Sequence, residues 1–275
     1  MSAYGPTEYE PTAHGPTGPG AHDLDGPAGY GPTEPAAYGP AAHGPTGPAA
    51  YGPASPAAYG PTGPTELLVI AKEPVPGRVK TRLCPPFSPA EAAELAAAAL
   101  ADTLETVLAL PARRRVLVLD GRPGPWVPPG VEVVAQSGGG LDERLAAAFG
   151  RCTGPALLVG MDTPQITPAL LAPALAPDAW EGCHAWFGPA EDGGFWALGL
   201  AQPDPALLRG VPMSVPETGA VQRRRLVEAG LSVRDLPVLL DVDTASDAHR
   251  VAADAPGGRF AAALGRLTGA GAGVR

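Results

Sequence analysis

The sequence predicts an α/β protein, a mostly parallel sheet covered by helices on both faces. Three observations predict it. Short aliphatic runs alternate with Ala/Leu-rich stretches from Thr65 onward; the runs are apolar throughout, as strands covered on both faces require; and chemistry-bearing residues recur just after those runs, where such sheets gather ligands.

Leu67 to Ala71 reads as the first strand. Ser88-Pro89-Ala90-Glu91 then forms a capping box with Pro in the first turn, opening a helix that continues to about Ala109. Val116 to Leu119 and Val131 to Ala135 are the next strands. Gly138-Gly139-Gly140 breaks the chain before a short helix from Asp142 to Phe149. Ala156 to Val159 is a fourth strand, followed by Gly160-Met161-Asp162-Thr163-Pro164 and a helix opened by Thr167-Pro168. Strands are expected at Cys183 to Phe187 and Phe195 to Leu200, on either side of Glu191-Asp192-Gly193-Gly194. A helix from Glu217 to Ala229, a strand from Ser232 to Leu236 and a last helix from Ser246 to Asp254, opened by Thr244, complete the pattern.

The expected organisation is a disordered tail over 1–64, one domain over 65–260 and a flexible C-terminus over 261–275. The tail repeats Tyr or His followed by Gly-Pro and then Thr or Ala, starting at Tyr4, His14, Tyr30, Tyr38, His43, Tyr51 and Tyr59, and holds all six tyrosines. It has almost nothing aliphatic to bury, and Gly and Pro oppose order, so it reads as a solvated tail or as an arm that binds a partner through Tyr and His. His14, His22 and His43 could chelate a metal weakly.

Hydrophobic residues make up 45% of the chain and net charge is −9. No apolar run is long enough to span a bilayer. No basic and apolar leader opens the chain, and Cys84, Cys152 and Cys183 are three widely spaced thiols, so a cytoplasmic location is expected. The cysteines read as packing residues. Five acids and no Lys or Arg lie in residues 1–64, which leaves −4 on the remainder; such a surface does not suit nucleic acid.

The chain uses Arg 17 times and Lys twice, and both lysines fall in Lys72-Glu73-Pro74-Val75-Pro76-Gly77-Arg78-Val79-Lys80-Thr81-Arg82. Two compact cations in a Pro/Gly loop suggest a phosphate grip, against the plainer reading of a solvated charged loop. In an extended segment Arg78, Lys80 and Arg82 would point the same way. The loop is neither a P-loop nor a dinucleotide-binding glycine turn. Asp162 follows the fourth strand and Asp241-Val242-Asp243 the last. Basic groups for phosphate and carboxylates for a hard divalent cation are the two needs of a nucleotide-handling site. Asp162 and Asp243 could instead cap turns. Asp192, before two glycines, suits close approach to a ligand or an Asp-Gly hairpin turn. His184 reads as a core or edge residue rather than a base.

Together the blocks Ala71 to Leu83, Gly160 to Pro164, Gly188 to Trp196 and Leu240 to Thr244 resemble the signatures of a bacterial family of GT-A-like glycosyltransferases, also called rSAM/selenodomain-associated transferases, some labelled arsenosugar-biosynthesis glycosyltransferases. The resemblance spans about residues 66 to 255. It implies a nucleotide-diphospho-sugar transferase (GT-A) fold. Lys80-Thr81-Arg82-Leu83 is also similar to a block of the 2-phospholactate guanylyltransferases.

By that likeness Asp162 and Asp243 would hold Mg²⁺ or Mn²⁺, and Lys72, Arg78, Lys80 and Arg82 would hold donor phosphates. Gln136, Gly139 and Gly140 would approach base or sugar, with Leu141-Asp142-Glu143-Arg144 completing that block. Asp192 and Lys80 would serve catalysis, Asp192 as base. Gly160 stands where many glycosyltransferases have the first Asp of Asp-x-Asp. The implied activity is nucleotide-dependent transfer: a sugar from a nucleotide-diphospho-sugar to a small acceptor, or a nucleotidyl group from a nucleoside triphosphate to a phosphorylated one. A third reading is a degenerate fold kept as a binding protein.

Overall fold

The computed structural model describes residues 65–271, and the expectations for residues 1–64 lie outside them. A seven-stranded sheet forms the centre, in the order β3-β2-β1-β4-β6-β5-β7. The strands are β1 Glu66–Lys72, β2 Arg114–Asp120, β3 Glu132–Ala135, β4 Ala156–Gly160, β5 Ala185–Pro189, β6 Phe195–Leu200 and β7 Val233–Asp235. β6 runs antiparallel to β4 and β5, and the other pairings are parallel. The carboxyl ends of all strands but β6 therefore share one edge, and β6 begins there.

The helices are α1 Pro89–Ala109, α2 Leu141–Phe149, α3 Pro168–Leu175, α4 Thr218–Glu228, α5 Ala245–Asp254 and α6 Arg259–Gly271. Alternation along β1 sorts the core into two layers. Leu67, Val69 and Ala71 face Ala96, Leu100 and Leu104 of α1 and Leu171 of α3. On the other face Leu68 joins Leu145 and Phe149 of α2 and Leu226 of α4. No helix of the described residues is long and apolar enough to cross a membrane.

The start of α1 is as the sequence predicts: Ser88 Oγ accepts from the Glu91 amide at 3.3 Å and Glu91 Oε2 from the Ser88 amide at 2.7 Å. Thr244 and Asp247 cap α5 in the same reciprocal way.

The chain after residue 260 departs from expectation, because it is helical through Gly271 rather than flexible. Its glycines disfavour a helix locally, but Phe260, Ala263 and Leu264 bury against Leu95 and Ala99 of α1 and Val251 of α5. Asp102 of α1 takes over the cap, accepting from the amides of Arg259 and Phe260 at 2.9 Å each. Tertiary burial and a cap borrowed from another helix outweigh local propensity here, and α5 is not the last helix.

Candidate functional site

A cleft of about 660 Å³ opens over the shared edge of the sheet, lined among others by Lys72, Lys80, Asp162, Asp192, Asp241 and Asp243. Topology brings these together. Lys72 ends β1, Asp162 follows β4, and Asp192 sits in the turn between β5 and β6. A parallel bridge between Ala190 and Leu239 carries the chain after β7 back to the same edge, delivering Asp241 and Asp243.

The basic loop does not stay extended. Lys80 adopts a left-handed backbone (φ 48°) and Thr81–Leu83 form a short 3₁₀ turn, so the expected common direction of Arg78, Lys80 and Arg82 is lost. A non-glycine residue in that region costs about 1–3 kcal/mol and persists only where surrounding contacts hold it. The contacts are strong. The Lys80 side chain is 9% exposed; Nζ lies 2.6 Å from Asp162 Oδ1 and 3.8 Å from Asp243 Oδ1, and it donates to the Val242 carbonyl.

Asp162 and the Val242 carbonyl are within hydrogen-bonding reach of the ammonium, and Asp243 adds a longer-range ionic contact. Lys80 is thus a buried clasp between two acidic loops, which a bond from the Val242 amide to the Asp162 carbonyl (2.9 Å) also joins. Arg82 is 72% exposed and pairs with Asp243 at 3.1 Å. Lys72 and Arg78 line the cleft and make no ion pair with described residues, so their charges face it unspent.

Asp241, outside the metal pair that the resemblance implies, is a strongly perturbed carboxylate. Burial first, then the charges of Asp162 and Asp192, push it up to about 7, with Lys80 opposing. Its Oδ1 is buried without a hydrogen-bond partner. The sequence marks this block only as two acids flanking Val242; which of them turns inward depends on the return from β7.

Asp192 sits in the Asp-Gly hairpin turn that the sequence allowed. Its turn closes the β5–β6 hairpin, with the Ala190 amide bonded to the Gly194 carbonyl at 3.1 Å, and its side chain lines the cleft. Oδ1 accepts from the Gly194 amide at 2.8 Å. A segment with no motif, Met213 to Pro216, also lines the cleft and includes Ser214 at φ 60°.

On the other side, Gln136 is occupied by structure: its amide donates to the carbonyls of Ala71 (2.8 Å) and Val118 (3.1 Å), and its Oε1 accepts from Arg144 at 3.3 Å. It orients Arg144, which also lines the cleft and reaches Asp120 at 3.6 Å. Gly139 and Gly140 are not among the lining residues. They open α2, where the Gly140 amide donates to Glu143 Oε2 at 2.9 Å. His184 precedes β5 at the amino end, away from the cleft, with its Nδ1 accepting from the Ser232 amide at 3.1 Å.

Among the described residues no three His, Cys, Asp or Glu side chains converge to hold a metal ion by themselves. Mg²⁺ commonly takes one or two protein carboxylates and completes its shell with substrate phosphates and water. Asp162 and Asp243, 45% and 38% exposed, with the orphaned Asp241 oxygen behind them, fit a cation that arrives with phosphates rather than an all-protein cage.

Residues 94–215, less than half the chain, match the family described as "Uncharacterized protein conserved in bacteria (DUF2064)". No curated protein matches. Among solved structures, a provisionally assigned nucleotide-diphospho-sugar transferase from Desulfovibrio desulfuricans G20 is 27% identical, with a TM-score of 0.59 over 66% of this chain and 82% of that one. A CMP:2-keto-3-deoxy-manno-octonic acid synthetase in complex with CTP is 14% identical (TM-score 0.45, 70% and 98% covered). A Mycobacterium tuberculosis H37Rv protein in complex with manganese is 21% identical (TM-score 0.45, 69% and 98% covered). By its likeness to the Desulfovibrio protein the chain has the fold of the nucleotide-diphospho-sugar transferases.

Proposed function

We propose that the protein is a nucleotide-dependent transferase, moving a sugar from a nucleotide-diphospho-sugar to a hydroxyl of a small acceptor. The observation that carries this reading is the charge layout of one cleft: two uncommitted cations, Lys72 and Arg78, stand with the Asp162–Asp243 pair over the carboxyl ends of β1 and β4. The 27% identity to the Desulfovibrio protein supports it. On this reading the chain also keeps the narrower kinship suggested by its motif blocks, to GT-A-like glycosyltransferases and 2-phospholactate guanylyltransferases.

In the proposed reaction the acceptor oxygen bonds to the anomeric carbon while that carbon's bond to the diphosphate oxygen breaks. Lys72 and Arg78 bind the diphosphate and stabilise its growing charge, which is where preorganised charges contribute most. Asp192 receives the acceptor proton on Oδ2, since the Gly194 amide holds Oδ1 in place. Asp162 and Asp243 would hold a divalent cation, which when bound supplies neutralisation of the diphosphate. Nucleotidyl transfer from a triphosphate is the second reading, favoured by the number of cations in the loop. Against it, of the loop's four cations only Lys72 and Arg78 are without an ion pair among the described residues of the free protein, Lys80 and Arg82 facing carboxylates.

A thermal-shift panel of nucleotide-sugars, nucleoside diphosphates and triphosphates, each with and without Mg²⁺ or Mn²⁺, tests the reading, because a ligand that binds only the native state raises its stability. Metal-dependent stabilisation by a nucleotide-sugar or diphosphate is expected. Stabilisation by triphosphates alone would select nucleotidyl transfer, and no shift with any ligand would select a binding protein that has lost the chemistry.

A further inference from the structure

We propose that Lys80 is a built-in countercation: it holds the Asp162–Asp243 pair closed to free divalent metal and releases it only when the metal arrives with donor phosphates. The inference rests on the metal assignment in the reading above. It starts from a conflict within the cleft. The resemblance implies that Lys80 grips phosphate and the two aspartates grip metal, yet in the free protein they face each other, with Nζ 2.6 Å from Asp162 and 3.8 Å from Asp243.

An ammonium and a divalent cation compete for the same carboxylate oxygens. A metal entering alone would have to displace the Lys80 ammonium, whose charge would then face the incoming ion at close range without a partner. A metal entering with a diphosphate brings the replacement partner, since oxygens of that diphosphate can accept the displaced Lys80 hydrogens. Two further features suit an exchange. The backbone at Lys80 is left-handed (φ 48°), and the buried Oδ1 of Asp241, which lines the same cleft, has no hydrogen-bond partner. The chain thereby couples metal uptake to donor binding, and one residue serves both states.

The test is Mn²⁺ binding to the free full-length protein, followed by electron paramagnetic resonance without nucleotide, in wild type, Lys80→Met and Lys80→Arg. Weak uptake by wild type and Lys80→Arg is expected, against one Mn²⁺ bound about tenfold or more tightly by Lys80→Met, because removing the competing charge leaves the carboxylates to the metal. Equal Mn²⁺ affinity in wild type and a natively melting Lys80→Met overturns the proposal. Should Lys80→Met fail to fold, wild type still decides: micromolar Mn²⁺ uptake without nucleotide overturns the proposal, and a thermal shift with uridine diphosphate plus Mn²⁺ larger than the two separate shifts together supports it. Nucleotide is absent from the first measurement, so its failure leaves nucleotide-dependent transfer standing, whereas a silent nucleotide panel leaves the Lys80 result intact.

Discussion

The Gly219 amide donates to the Gly193 carbonyl at 2.8 Å, locking the acidic turn after β5 onto the start of α4. The approach leaves no room for a side chain: a Cβ on Gly193 would fall 2.0 Å from the Pro216 carbonyl oxygen, and Gly193 sits at φ 89°. Gly193→Ala is therefore expected to strain the backbone and push apart two walls of the cleft, lowering the melting temperature and weakening any nucleotide-induced shift. A variant with wild-type melting and wild-type shifts would show that the turn and the segment move independently.

Uncommitted and committed cations should differ on mutation. Lys72→Ala and Arg78→Ala are each expected to weaken donor binding by about 1.5–3 kcal/mol, the worth of a charged hydrogen bond, with little change in melting. Arg82→Ala loses an exposed pair worth about 0–1 kcal/mol and should affect binding least. Titration calorimetry with the donor found in the ligand panel separates them. The reverse ranking would transfer the phosphate grip to Arg82.

Asp102→Ala should lower stability by about 1–2 kcal/mol without touching nucleotide binding, because it removes the acceptor for two amides at the start of α6. Denaturant unfolding of the variant beside wild type measures this. A neutral outcome would mean that the apolar packing of Phe260 and Leu264 carries the helix alone.

Stability in chelator-treated protein should fall as pH rises from about 4 toward 7. Asp241, raised from 3.8 to about 7 chiefly by burial, keeps in the folded protein a proton that the unfolded chain has already released across that window. Its contribution is complete below the unfolded value and spent once pH passes the folded one, with a slope of at most about 1.4 kcal/mol per pH unit. Asp241→Asn, isosteric and uncharged, should flatten the profile; an unchanged slope would assign it to other carboxylates.

Thiol labelling gives an independent check of the core. Burial, then the Glu66 carboxylate, push Cys152 up to about 12, and burial raises Cys183. Neither should alkylate at pH 8 in the folded protein, and both should react in denaturant. Labelling of Cys152 under native conditions would indicate opening between α2 and β4.

The order of strands and helices, the caps at Ser88 and Thr244, and the blocks holding Lys72, Asp162, Asp192 and Asp243 were legible because each rests on neighbours in sequence: apolar runs, a four-residue cap, a turn after a strand. Residues 259–271 were not, since their helix depends on Asp102 and Leu95 far along the chain. Gln136 was legible as a member of a block but not as the bracket between β1 and β2 that aims Arg144.

By itself the sequence determined an α/β chain whose charged loops meet at one edge of a sheet, because strand direction and loop order follow from local pattern. Which charges oppose which was decided by tertiary structure. The left-handed turn at Lys80 makes the expected phosphate hand the partner of Asp162, and the return after β7 leaves Asp241 with a buried, unpartnered oxygen. Both outcomes depend on distance and desolvation between residues some 80 and more positions apart, and Coulomb energy follows those two quantities, which residue order does not encode.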